Sequence, residues 1–108
     1  MDLLKKKCIP CESGTLPFDP EKIKEYAAQL DPVWQVSENK KIVRKFQFSD
    51  FMAAMAFVNQ VAAVSESEGH HPDIKISYNK VTVELWTHAA GGLTENDFIL
   101  AAKIDQLY

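Results

Sequence analysis

The chain of 108 residues is long enough for one domain with a single hydrophobic core and leaves little room for a second. Hydrophobic residues make up 46% of it and charged residues 25%, which is typical of a globular protein and argues against a disordered chain. The formal net charge of -3 argues against a nucleic-acid-binding protein that relies on a basic excess, and the longest weakly polar run, residues 51–64, is shorter than the roughly 20 residues of a membrane-spanning helix.

Residues 1–18 show no hydrophobic periodicity and are predicted to form an arm before a single domain at residues 19–108. The basic cluster Lys5–Lys7 is not followed by the apolar stretch of a secretory signal. Cys8 and Cys11 are too few for a disulfide framework, and a zinc site would need a second pair of ligands nearby. A redox role would need a strand before this Cys-x-x-Cys and a helix after it, so we interpret the cysteines as structural or incidental and expect a cytoplasmic protein.

The first helix is predicted to begin at Asp19-Pro20, because aspartate is a good N-cap and proline is tolerated in the first helical turn. Asp31-Pro32 should end it, because a residue before proline avoids the helical conformation. The apolar side chains between these points recur at helical spacing, namely Ile23, Tyr26, Ala27 and Leu30.

Two antiparallel strands are predicted next. Residues 33–36 form a short apolar run, a polar turn follows at residues 38–40, and residues 42–48 alternate between the two faces of a strand. The face of the second strand that carries its phenylalanines also carries Arg44. The alternation predicts a strand with one buried face.

A long second helix is predicted between Ser49, as its N-cap, and Gly69, as its C-terminal stop. The apolar face of this helix is wide, which indicates that the helix packs centrally against a sheet. The predicted central stripe consists of Phe51, Met55, Val58 and Ala62, widened by Ala54, Phe57 and Val61.

A β-hairpin and a last helix complete the chain. Residues 74–78 and 81–85 alternate in polarity on either side of a two-residue turn at residues 79–80. Thr94 is predicted to cap the last helix, with Asp97 three residues later in a variant of the capping box. The predicted order, α-β-β-α-β-β-α, gives an α+β fold in which helices pack on one face of a four-stranded antiparallel sheet.

All three histidines of the chain lie at one end of the predicted hairpin. His70 and His71 precede its first strand and His88 follows its second, so antiparallel pairing should bring the three imidazoles together. Glu66, four residues before His70 on the preceding helix, can face the same end. Imidazoles titrate near neutral pH, which suits proton transfer.

Two other interpretations of the histidines are open. Single histidines at such positions are often exposed side chains or helix caps. Three histidines can also hold zinc, as a metal-dependent hydrolase would require. The spacing contains neither His-x-His nor HExxH, and adjacent histidines tend to point apart, so we predict no metal.

Several short motifs occur together in the second half of the chain. They are Glu-Ser-Glu-Gly-His-His-Pro at residues 66–72, Tyr-Asn-Lys-Val at 78–81, Thr-His at 87–88, and Gly-Leu-Thr at 92–94 with Asp97. With Trp34 and residues 46–51 upstream, this set closely resembles the pterin-4a-carbinolamine dehydratases, also called 4a-hydroxytetrahydrobiopterin dehydratases. The resemblance covers residues 19–107.

The resemblance implies a lyase that needs no metal and no cofactor, because the pterin is its substrate. Such an enzyme removes water from 4a-hydroxy-tetrahydropterin and gives quinonoid dihydropterin, in the recycling of tetrahydrobiopterin. The resemblance also implies the four-stranded fold, a homodimer or homotetramer, and a functional link to an aromatic amino acid hydroxylase. From the net charge and the short apolar run we expect no direct nucleic-acid or membrane partner. The vertebrate member is also a dimerisation cofactor of a transcription factor, so a binding module that acts through a protein partner is the alternative.

By position, the resemblance identifies the catalytic residues as His70, His71 and His88. It identifies the substrate contacts as Glu66, Pro72, Thr87 and Trp34. Some members of the family have aspartate directly before the histidine pair, where this chain has Gly69. We assign the proton transfers to His70 and His88, and the orientation of the pterin to His71 and Glu66.

Overall fold

The computed structural model describes residues 2–10 and 14–108. Its elements, in chain order, are a short 3₁₀ helix at Leu3–Lys5, α1 at Pro20–Ala27, β1 at Gln35–Ser37, β2 at Lys41–Gln47, α2 at Phe51–Glu68, β3 at Asp73–Ser77, β4 at Lys80–Leu85 and α3 at Glu95–Asp105. The strands form one antiparallel sheet in the order β1-β2-β4-β3. This confirms the predicted α+β fold. No helix in the described part of the chain combines the length and the apolar character of a membrane span.

The long helix α2 has the predicted extent but a different cap and a different buried stripe. The Asp50 side chain, not that of Ser49, accepts the backbone N–H of Ala53 at 2.8 Å. Phe51, predicted in the central stripe, is 45% exposed. The buried residues of the helix are Ala54, Phe57, Val61 and Ser65. Three of these were predicted at the side of the apolar face, so the face was predicted but its centre lies one position away from Phe51, Met55, Val58 and Ala62. Gly69 ends the helix with φ 67°, a left-handed conformation that glycine adopts without strain, as predicted.

The hairpin turn between β3 and β4 lies one residue earlier than predicted. Ser77 pairs with Lys80, so the two turn residues are Tyr78 and Asn79, and Tyr78 has the left-handed φ of 52°. The side-chain amide of Asn79 donates to the carbonyl of Phe48 at 2.9 Å, and the Asn79 carbonyl accepts the Phe48 N–H at 2.8 Å. These two bonds tie the hairpin tip to the end of β2 and hold this register.

The buried face of β2 carries a charge, as the alternation indicated. The Arg44 guanidinium lies 2.8 Å from a carboxylate oxygen of Asp105 at the end of α3, and both side chains are largely buried. The indole N–H of Trp34 donates to the same carboxylate at 2.9 and 3.0 Å. Burial raises the pKa of the Asp105 carboxyl, although these two donors oppose the shift. The network fixes the C-terminal end of α3 against the sheet.

The N-terminal segment packs on α3. The Leu3 side chain is only 5% exposed and belongs to the main core. Further along, the Phe18 N–H donates to the Leu93 carbonyl at 2.7 Å. Pro17 passes so close to Gly92 that a Cβ there would lie 2.9 Å from the Pro17 Cβ, which explains a glycine at this position. The boundary between an arm and a domain at residue 18 stays a prediction.

Glu95 joins three segments of the chain at the start of α3. One oxygen of its carboxylate accepts the Tyr26 hydroxyl of α1 at 2.7 Å and the Lys6 ammonium at 3.0 Å. The hydrogen bond from Tyr26 lowers the pKa of Glu95; burial opposes this shift and Lys6 adds to it.

Replacing Glu95 with Gln should therefore weaken the fold in a pH-dependent way. A carboxyl whose pKa is lowered in the folded state stabilises the fold at any pH above its ordinary pKa of 4.5. This contribution disappears as the pH falls from 4.5 through the lower pKa of the folded state. We expect Glu95→Gln to unfold at lower urea than the wild type at pH 7, and the difference to shrink below about pH 4. A difference that stays constant or widens on acidification would contradict this assignment.

Candidate functional site

The three histidines converge as the sequence predicted. In the β3–β4 pair, Asp73 lies opposite Glu84, so the start of β3 and the end of β4 are adjacent at one end of the sheet. The loops at this end enclose an open cavity of about 340 Å³. Its lining residues are Gly69, His70, His71, Pro72, Asp73, Trp86, Thr87, His88 and Ala89.

His70 is held by a buried carboxylate. Its Nε2 lies 2.6 Å from Oδ1 of Asp97, whose side chain is fully buried, while the His70 side chain is 11% exposed. The other oxygen of Asp97 accepts the Thr87 hydroxyl at 2.8 Å and the backbone N–H of Thr94 at 3.0 Å. Asp97 also lies in the first turn of α3, where the helix dipole favours a negative charge. The site therefore contains an anionic acceptor whose donors come from three segments.

This arrangement selects the tautomer of His70. An ionised carboxylate accepts hydrogen bonds at both of its oxygens, so Nε2 of His70, 2.6 Å from Oδ1 of Asp97, carries the hydrogen of this pair. Nδ1 of the neutral ring is then the nitrogen that can accept a proton. The carboxylate also stabilises the imidazolium once it forms. His70 can consequently act as a general base, or as a general acid when protonated.

His71 is paired with Glu66 in a more open setting. Its Nε2 lies 2.7 Å from a Glu66 oxygen, but the side chains are 65% and 80% exposed. An exposed pair of this kind contributes little to stability. His71 and Pro72 also line a second cavity of about 490 Å³, with walls from α2 and β3. The pair therefore lies where a ligand in the histidine cavity can reach it.

His88 stacks on an aromatic side chain. Its ring centroid lies 3.8 Å from that of Trp86, with 31° between the planes. The Trp86 indole N–H donates to Asp73 at 3.1 Å, which holds the indole at the edge of the cavity. A flat apolar surface beside an imidazole is suited to a planar heterocycle. Trp86 is thus the tryptophan that lines this cavity.

Two predicted site residues are absent from the lining of the histidine cavity: Glu66 lines the neighbouring cavity and reaches the site through His71, whereas Trp34 lies far from both. It is 7% exposed, packs against Phe46, and is hydrogen-bonded to Asp105. Asp105 follows Asp97 by eight positions on α3, a rise of about 12 Å along the helix. The buried partners of Trp34 therefore fix it in the core at the opposite end of α3 from His70.

Asp97 is a residue of the candidate site whose contact with His70 was not predicted from the sequence. It was predicted as part of the helix cap and belongs to the motifs of the resemblance, and its carboxylate does accept the Thr94 N–H as a cap residue would. The signal that could have found it is topological. Since α3 begins directly after the loop that follows β4, its first turn lies at the same end of the sheet as His70 and His88.

The described residues contain no group of three or more His, Cys, Asp or Glu side chains arranged to hold a metal ion. A reaction without a metal stays a prediction. Cys11 lies outside the described residues, so the Cys-x-x-Cys can be examined only at Cys8. Burial, together with the nearby Glu68 carboxylate, raises the pKa of the Cys8 thiol to about 12.

The Cys8 thiol should react slowly in the folded protein. In a Cys11→Ser variant, which leaves Cys8 as the single cysteine, alkylation by iodoacetamide at pH 8 is expected to be about 10²-fold slower than after unfolding in urea, because the thiolate is the reactive form. Equal alkylation rates in the folded and unfolded states would contradict the raised pKa, because the folded thiol would then be as accessible and as readily ionised as the unfolded one.

Comparison with known proteins agrees with the family resemblance described above. Residues 16–107 match the family model described as pterin 4 alpha carbinolamine dehydratase. A relative from Rickettsia canadensis is 48% identical over 103 residues, covering 95% of this chain and 94% of the relative. One from Nitrosomonas eutropha is 50% identical over 106 residues, covering 98% and 93%. The names of both provisionally attribute pterin-4-alpha-carbinolamine dehydratase activity to them.

Two solved structures are also similar. One is a transcriptional coactivator/pterin dehydratase from Brucella melitensis, with a TM-score of 0.78, 35% identity, and coverage of 84% of this chain and 97% of that one. The other is a pterin dehydratase-like protein identified as a RuBisCO assembly factor in the alpha-carboxysome, with a TM-score of 0.57, 27% identity, and coverage of 68% and 84%. The sequence match spans almost the whole chain, and the histidine cavity lies within it. The chain belongs to the pterin 4 alpha carbinolamine dehydratase family.

Proposed function

We propose that this protein dehydrates 4a-hydroxy-tetrahydropterin to quinonoid dihydropterin and water, as a lyase in the recycling of tetrahydrobiopterin. The observation that carries the proposal is the His70–Asp97 pair in a cavity that His71 and His88 also line. Two imidazoles and a buried carboxylate supply the proton donor and the proton acceptor that a dehydration needs.

The reaction requires two proton transfers at different atoms. The C4a–O bond breaks as the leaving oxygen takes up a proton and departs as water, and the proton on N5 is removed so that a C4a–N5 double bond forms. His70 and His88 exchange these two protons, one as acid and the other as base. The Asp97 carboxylate favours the protonated form of His70 in whichever step produces it.

The remaining side chains of the cavity bind and orient the pterin. The Glu66 carboxylate can accept hydrogen bonds from pterin N–H groups, and His71 lies beside it. Trp86 offers a flat surface for the pterin ring. Pro72 lies at the boundary between the histidine cavity and the neighbouring cavity of α2 and β3. Thr87 acts through its bond to Asp97.

A role through a protein partner is the second candidate. The exposed apolar side chains of α2 and the hairpin favour it, since Met52 is 73%, Tyr78 66% and Ile76 38% exposed. The two outer strands, β1 and β3, also leave backbone groups unpaired at the sheet edges. We expect the chain to cover part of this surface by forming a homodimer or homotetramer in the cytoplasm, beside the aromatic amino acid hydroxylase whose product it would use.

A dehydration assay with synthetic 4a-hydroxy-tetrahydropterin tests the proposal directly. The purified protein should accelerate formation of the quinonoid product, and the rate should survive exhaustive chelation, because the imidazoles perform the proton transfers. A rate that chelation abolishes and added zinc restores would replace this mechanism with a metal-dependent one. A folded protein without any activity would leave the partner-binding role as the better explanation.

A further inference from the structure

We propose that residues 6–9, here called the N-terminal clamp, position His70 for proton transfer by joining the end of α2 to the start of α3. Glu68 and Asn96 are the positioning residues that receive the clamp. The expected effect of the clamp on kcat rests on the proposed function. Its expected effect on the geometry of His70 can be measured in the protein without substrate.

The clamp contacts α2 at its last residue. The Glu68 side chain is only 5% exposed. One of its oxygens accepts the backbone N–H of Cys8 at 2.8 Å, and the other accepts the Lys103 ammonium of α3 at 2.8 Å. Burial would raise the pKa of Glu68, but these hydrogen bonds outweigh it and the pKa lies below its ordinary value. The helix end that leads into His70 is thus fixed by a buried anion with two donors.

The next residue of the clamp contacts α3. Asn96 is 4% exposed, and its side-chain oxygen accepts the Ile9 N–H at 3.0 Å. Its amide group donates back to the Ile9 carbonyl at 2.6 Å. The Lys6 ammonium lies 3.0 Å from Glu95, directly before Asn96. Consecutive amides of the clamp therefore engage two different helices.

The position of these contacts gives them a catalytic consequence. Glu68 lies two residues before His70, and Asn96 lies one residue before Asp97. The 2.6 Å bond between His70 and Asp97 spans the same two elements that the clamp joins. A change in their separation would lengthen this bond and turn the imidazole, and small misplacements of a reacting group can reduce a rate strongly.

The Cys8 thiol also lies 3.5 Å from the Asn96 carbonyl, but the contacts of Ile9 with Asn96 are made by its backbone, which permits a matched test at Ile9. The Ile9 side chain is 70% exposed, so Ile9→Pro removes its N–H without removing core packing, while Ile9→Ala keeps the N–H. Glu68→Gln weakens both contacts of the anion. Arg44→Met is the control for general destabilisation, because it breaks the ion pair with Asp105 at the far end of α3.

Two measurements separate positioning from stability. The first is the proton NMR resonance of the His70 ring N–H, which a short bond to a carboxylate moves far downfield in the free protein. The second is the division of the kinetic effect between kcat and KM. We expect Ile9→Pro and Glu68→Gln to move or broaden the resonance and to lower kcat about tenfold, with KM within about twofold. Ile9→Ala and Arg44→Met should change neither quantity.

The outcomes are distinct. If Ile9→Pro and Glu68→Gln leave the resonance unchanged, or if Arg44→Met shifts it equally, the clamp does not position His70 and the proposal is overturned. If Glu68→Gln fails to fold, the comparison of Ile9→Pro with Ile9→Ala decides by the same criterion. If the wild type has no dehydratase activity, the proposed function fails while the resonance still tests the clamp.

Discussion

Replacing His70 or His88 with Ala is expected to lower kcat for pterin dehydration by about 10²-fold or more in each case, because each variant removes a group that exchanges a proton with the substrate. Both variants should fold, because the side chains line a cavity at the end of the sheet and lie outside the main core. Steady-state kinetics with 4a-hydroxy-tetrahydropterin, with circular dichroism as the test of folding, would measure both quantities.

His71→Ala is the matched comparison for these two variants. Its side chain is exposed and paired with Glu66, so it should act on binding, and the loss should appear mainly in KM. If folded His70→Ala and His88→Ala proteins turn over at the wild-type rate, the assignment of the proton transfers is wrong.

Asp97→Asn should produce a loss of similar size by a different route. An amide placed at this site must direct its oxygen towards the donors Thr87 and Thr94, which leaves its NH₂ group facing His70. His70 must then accept at Nε2 and carry its proton on Nδ1, the tautomer opposite to the one described above. We expect kcat to fall at least about 10²-fold, because the ring then presents the wrong form to the substrate.

The same substitution at the other end of α3 provides its control. Asp105→Asn also removes a charge that accepts hydrogen bonds, from Trp34 and Arg44, and should lower stability while leaving kcat close to the wild-type value. The nitrogen NMR shifts of the His70 ring would report the tautomer directly. An Asp97→Asn protein with wild-type kcat would show that the carboxylate has no part in the reaction.

Local patterns in the sequence predicted the fold and the meeting of the histidines. Capping residues and alternation predicted the elements, and antiparallel pairing of β3 and β4 was enough to bring His70 and His88 to one end. The predicted N-cap of α2 and the predicted hairpin turn were each wrong by one residue. Ser49 and Asp50 are both good N-caps, and the hairpin could turn one residue earlier because Asn79 binds Phe48, a partner that is distant in sequence.

Contacts between distant residues explain what the sequence could not predict. The bond from His70 to Asp97 joins residues 27 positions apart, and its existence depends on how α3 lies on the sheet. The burial of Trp34 depends on Asp105, 71 positions away, and this contact decides that the indole belongs to the core. Residue type alone could not distinguish Trp34 from Trp86.

The stacking of Trp86 on His88 gives the protein a built-in optical probe. A protonated imidazole in contact with an indole quenches its fluorescence, so the emission of Trp86 depends on the charge of His88 and on any planar ligand that enters beside it. The second indole, Trp34, is buried against Phe46 and supplies a constant background. Occupancy of the cavity can therefore be followed in the unlabelled wild-type protein, by light emission alone and on the timescale of rapid mixing.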